Sequence, residues 1–129
     1  MKTLNELRDE IHENAKNKGF WDSPRETGTL LMLCVSELAE AMEADRVGKH
    51  SDTTGIDELI KAGYTWDDSP VSYESYFERD VKDTFEDELA DDIIRILDIC
   101  GARSIDIEKH IEMKMKYNQT RERMHGKKY

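Results

Sequence analysis

Leu4, Leu7, Ile11 and Ala15 recur at helical spacing behind Thr3. "TLNE" gives Thr3 and Glu6 the two halves of a capping box, so a first helix begins at Thr3, and Gly19 closes it. "SPRE" reads as a second start, with Ser23 as cap, Pro24 at the first helical position and Glu26 closing the box. A run rich in Leu, Met, Ala and Glu, all good helix formers, then extends to about Val47, where Gly48 stops it. Leu30, Leu33, Cys34, Leu38 and Ala41 mark its expected buried side. Residues 48–72 break the pattern with Gly48, Gly55, Gly63, Pro70 and many Ser, Thr and Asp. They read as a long excursion holding a short helix around 57–62, and loops of this length in a compact domain are usually functional or mobile. A third main helix is expected from about 72–75 to Gly101, with a break or kink before Thr84. Phe85, Leu89, Ile93, Ile96, Leu97 and Cys100 form its apolar arc, which Ile94 and Ile99 widen. Asp106 caps a fourth helix, with Ile107, Ile111, Met115 and Asn118 on one face, and the pattern fades into a polar tail from about residue 119. No strand alternation and no internal repeat interrupts this reading. The expectation is one all-α domain over 1–129, a four-helix-bundle-like protomer assembled as an oligomer.

A chain of 129 residues fits one domain. Its net charge of −10 repels phosphate backbones and argues against general nucleic-acid binding. The charge is uneven: residues 1–106 hold 12 Lys and Arg against 26 Asp and Glu, whereas residues 107–129 hold 7 against 3. A basic end beside an acidic body can complete a site that holds both a cation and a phosphate, and a solvated last helix fits the same charges equally well. Cys34 and Cys100 each fall in an apolar run without CxxC spacing, as expected for buried free thiols in a reducing cytosol. No segment approaches the length of a membrane span, and "MKTLNELRDE" lacks the apolar core of a signal sequence. A cytoplasmic protein with no membrane partner is expected.

"SELAEAME" and "FEDELADDIIRILDICG" change the picture. Residues three apart share a helix face, so Glu37 pairs with Glu40, and Glu88 with Asp91. Glu37 falls within or beside the apolar stripe of its helix, and Glu88, Asp91 and Arg95 border the arc of theirs. One such pair alone is usually a solvated face. Two pairs on core-facing edges can bring four carboxylates together, and these cannot all stay ionised without compensation. Proton sharing is one solution and a hard divalent cation is the other. Oxygen-only ligands favour Mg²⁺ or Mn²⁺ over zinc. Such a site suits phosphate chemistry, with a free carboxylate accepting a proton from the attacking water. A di-iron carboxylate bundle needs Glu-x-x-His on each of two helices, a pair that this sequence does not supply. Phe20 and Trp21 either stack on a base or staple two helices together, with Trp21 the better candidate for substrate. His12, three after Asp9, reads more plainly as a satisfied histidine than as half of a metal site.

The stretches "LMLCVSELAEAMEADRVGKH" and "FEDELADDIIRILDICG" resemble the two motifs of MazG-like nucleotide pyrophosphohydrolases, in the all-α NTP pyrophosphohydrolase superfamily that includes dimeric dUTPases and dCTP pyrophosphatases. The family pattern, Glu-Glu-x-x-Glu followed by Glu-x-x-Asp, places its acids on Glu37, Glu40, Glu88 and Asp91. "KMKYNQTR" looks like the family's last element, which puts Lys114, Asn118 and Arg121 near the phosphates or sugar. The resemblance implies Mg²⁺-dependent hydrolysis of a nucleoside triphosphate to monophosphate and pyrophosphate, with Mn²⁺ as a substitute metal, by a homodimer or homotetramer. Ser36 stands where the family's first acid falls, and the segment from Glu40 to Glu88 is longer than is usual. A non-catalytic helical interaction module that keeps the fold is the alternative.

Overall fold

The computed structural model describes residues 1–129 and is all-helical. Its helices are α1 (Leu4–Asn17), α2 (Thr27–Arg46), α3 (Thr54–Lys61), α4 (Pro70–Asp80), α5 (Phe85–Ala102) and α6 (Ile107–Gln119), followed by a 3₁₀ turn (Arg123–Gly126). These six are the four main helices expected, with the short helix of the excursion as α3 and the third main helix split in two before Thr84. The excursion contains α3 and the start of α4, and the third expected helix divides into α4 and α5. No helix is long and apolar enough to cross a membrane.

The chain forms two compact units, Met1–Pro24 with Ile96–Tyr129, and Arg25–Arg95. In the first, the capping box forms as expected: Glu6 N–H donates to Thr3 Oγ1 at 3.2 Å, and Thr3 N–H to Glu6 Oε2 at 2.8 Å. Gly19, at φ +87°, ends α1, and Phe20 N–H returns to Ala15 O at 3.1 Å. The Asp106 side chain caps α6 through Lys109 N–H at 3.1 Å. Asn5 ties the starts of α1 and α6 by donating to Asp106 Oδ1 at 2.8 Å and Glu108 Oε2 at 3.2 Å. α5 ends near Gly101 as expected, one residue beyond it. It continues to Ala102, and Ser104 takes the left-handed position at φ 51°. Gly101 also lets α1 approach, because a Cβ there would lie 2.5 Å from His12 Cβ.

In the second unit, "SPRE" does not cap α2. The chain stays extended at Glu26, and α2 begins at Thr27 without a side-chain cap. Its end is as expected, with Gly48 at φ +72° and Lys49 N–H returning to Ala44 O at 2.8 Å. α3 and α4 share a small aromatic core. Tyr73 is buried and donates from its hydroxyl to Tyr64 O at 2.8 Å, and Trp66 packs 5.1 Å from the Tyr73 ring and 6.5 Å from Phe77. Gly55 leaves room for the Tyr76 ring, which would meet an added Cβ at 2.2 Å. The expected break before Thr84 is present: Val81 caps α4, Asp83 sits at φ 59°, and buried Thr84 donates to Val81 O at 2.6 Å.

Burial in this unit runs against the apolar pattern. Leu30, Cys34 and Ala41 are buried as expected, but Leu38 is 50% exposed and Val35 51%, whereas Glu37 is 5% exposed and Glu88 7%. Leu89 and Ile93 of the expected arc are also exposed, while Asp92 is buried. α2 and the first half of α5 thus turn acids toward each other and leave an apolar stripe outside. Helical periodicity identifies the two faces of a helix, but the carboxylates here occupy the one that packs.

Candidate metal centre

Glu37 and Glu40 leave α2 one turn apart, and Glu88 enters from the first turn of α5. One carboxylate oxygen from each of these three residues lies within 4.8 Å of the others. Asp91 stands outside this triad but lines the same cavity, of about 460 Å³. The sequence motifs therefore come together as expected, with three acids in the first rank and the fourth on the wall. Glu43, Asp83 and Lys49 line the cavity as well.

The electrostatics are strained. Burial, then hydrogen bonding to Glu37 and the nearby charges of Glu40, Glu37 and Asp91, push the Glu88 carboxyl up to about 7. Burial, with Asp87 and Glu37 close by, raises Asp91 as well. Arg95 is the internal counter-charge, its Nε donating to Glu37 Oε1. Asp92 Oδ1 is buried and meets no hydrogen-bond donor. The donor set fits a hard divalent cation: it is all oxygen, partly buried, over-supplied with negative charge, and open to a cavity that can admit more ligands.

Comparison with protein-family models, curated proteins and solved structures finds no match to this chain. The site is therefore read from its own chemistry.

The residues expected to hold a nucleotide belong to the other unit. Lys114 and Arg121 flank the Tyr117 ring at 5.3 and 5.6 Å, and Asn118, on the same face of α6, has a buried Oδ1 without a partner. Lys114 and Arg121 thus share one ring, and Asn118 is its chain neighbour. Arg121 also donates to His125 O at 3.3 Å, so the tail forms a local turn. Trp21 donates its indole N–H to Asp98 at 3.0 Å and meets His12 edge-on at 5.2 Å, while His12 Nδ1 lies 2.7 Å from Asp98 Oδ1. Trp21 thus ties the end of α1 to α5 rather than stapling the first two helices to each other, and His12 is the satisfied histidine considered for it.

Sequence reasoning missed Lys49 and Asp83. Neither has a motif of its own: one follows a helix stop and the other precedes a helix start, and folding brings both to the cavity rim. Gly48 was the available signal for Lys49, since a helix stop at that glycine fixes where the next residue leaves the helix.

Proposed function

We propose that this chain is a MazG-like nucleoside triphosphate pyrophosphohydrolase, acting in the cytoplasm on the free nucleotide pool. The observation that carries the reading is the convergence of Glu37, Glu40 and Glu88 within 4.8 Å beside a cavity that Asp91 also lines. Glu37, Glu40, Glu88 and Asp91 would hold Mg²⁺, or Mn²⁺ in its place. Such a cation, when bound, neutralises phosphate charge and leaves coordination positions for water and substrate oxygens. The chain's own groups do the rest. Arg95 holds Glu37 in a fixed orientation. One of these glutamates would orient the attacking water or take its proton, and Glu40 is the exposed member of the triad. Lys114, Asn118 and Arg121 on the last helix remain the residues that the resemblance assigns to the nucleotide, whereas Trp21 is engaged with Asp98. The products are a nucleoside monophosphate and pyrophosphate.

The exposed stripe supports a homodimer or homotetramer. Leu31, Val35, Leu38 and Met42 follow one another at alternating spacings of four and three residues, as on the seam of a helix pair, and all are exposed. A second copy, which carries the same stripe, is the partner that matches it.

One observation favours a non-catalytic helical module instead: Arg95 already neutralises Glu37 without any cation. Glu88→Ala separates the two readings. Turnover of a triphosphate should vanish in this variant while its helical circular dichroism persists, and wild-type activity in the variant would sink the enzymatic reading.

A further inference from the structure

We propose that Lys49 is the anion-binding residue of the acidic cavity, the group that meets a phosphate oxygen where carboxylates alone would repel it. The inference rests on the reading of this cavity as a divalent-cation site for phosphate chemistry. Glu37, Glu40, Glu43, Asp83, Glu88 and Asp91 line the cavity, and Lys49 is the one cation among the lining residues. A phosphate chain drawn to a bound cation would otherwise face like charge on every wall.

Lys49 is placed there by backbone chemistry. Gly48 supplies the left-handed φ of +72° that turns the chain out of α2. The Lys49 N–H then donates to Ala44 O at 2.8 Å, and its carbonyl accepts from Phe85 N–H at 3.0 Å. Both backbone groups are thus used, and the residue is fixed between the end of α2 and the start of α5, the helices that carry the acids. The next two residues extend the anchorage, with His50 Nδ1 3.0 Å from Glu86 Oε1 and Ser51 N–H donating to Glu86 Oε2 at 2.8 Å.

The side chain is not spent on the acids around it. Although six acidic residues share its cavity, Lys49 forms no salt bridge with any of them. An anchored root with an unpaired ammonium suits a mobile point charge that closes on an incoming phosphate.

The test is calorimetric, on the full chain, with MgCl₂ alone and then with inorganic tripolyphosphate in the presence of Mg²⁺. Wild type, Lys49→Gln and Lys49→Arg are compared. Lys49→Gln should bind Mg²⁺ at least as tightly as wild type, because a repelling charge has gone. It should bind tripolyphosphate about tenfold more weakly or worse, the loss of a charge-assisted hydrogen bond. Lys49→Arg, which keeps the charge, should stay close to wild type. Equal tripolyphosphate affinity in wild type and Lys49→Gln overturns the role of Lys49 and leaves the cation site standing. A wild type that takes Mg²⁺ but not tripolyphosphate does the same. A wild type that binds no Mg²⁺ overturns the reading of the cavity, and this inference with it.

Discussion

Glu88 concentrates the conflict on which the site is built. It is buried, it faces Glu37 and Glu40, and its carboxyl is pushed up to about 7. Glu88→Gln should therefore leave cation-free stability unchanged or higher, since it removes a like charge while keeping the shape. The same change should lower turnover by roughly 100-fold or more if the carboxylate contacts the cation. Thermal melts in EDTA beside a nucleotide assay check both halves, and a variant that loses stability and keeps activity would contradict them. His50 makes a second statement at this scale. It sits between Glu86 at 3.0 Å and Asp45 at 3.3 Å, and these partners raise its pKa above the ordinary 6.5. The stabilisation from this clamp is present in full below about 6.5, and is lost as pH rises through the higher folded value. An NMR titration should place the His50 midpoint above 6.5, and Glu86→Gln should bring it back toward 6.5. An unchanged midpoint in that variant would show that the clamp does not couple the two groups. Glu86 is held down to about 2, first by Ser51 N–H and then by His50, so its own contribution is full above about 4.5 and is lost as pH falls from there through about 2.

Element ends were legible wherever local chemistry decides them. Thr3 with Glu6, Gly19, Gly48 and Asp106 all act as their residue types direct, because caps are satisfied within a few residues. Ser23 and Pro24 show the limit. Their capping signature is present, yet the chain runs extended to Glu26, next to a connection in which Trp21 is tied to Asp98. Pro70 opens α4 as proline at a first helical position can, a start signal that the Gly-, Ser- and Asp-rich stretch around it masks. Gly101 marks the helix end to within one residue, but its second role, a close approach to α1, is a packing contact that no local pattern reveals. Gly101→Ala would force its Cβ against His12 Cβ and lie 3.3 Å from the Arg8 carbonyl. It should cost about 1–3 kcal/mol by overpacking. Urea denaturation checks this, and a change under about 0.5 kcal/mol, the level of an ordinary surface substitution, would show that α1 yields freely.

For the whole molecule, an all-α chain was legible from periodicity and from helix formers, and the acidic motifs did converge. The direction in which α2 and α5 turn was legible only in part. Leu30, Cys34 and Ala41 are buried as their stripe predicts and Glu37 lies among them, but the buried face also takes Glu88 and Asp92 and leaves Val35, Leu38 and Ile93 exposed. That arrangement makes sense if the acids gain a cation and the exposed stripe gains a second copy of the chain. Light scattering should then give at least twice the protomer mass, and Leu38→Glu should drive the protein toward the monomer. A monomeric wild type at tens of micromolar would remove the homo-oligomer from the account. The most direct test of the central claim is product analysis after incubation with Mg²⁺ and a panel of ordinary and damaged nucleoside triphosphates. Monophosphate with pyrophosphate, abolished by EDTA and by Glu88→Gln, is the predicted result. No turnover of any triphosphate, in a protein that also takes up no Mg²⁺, would contradict it.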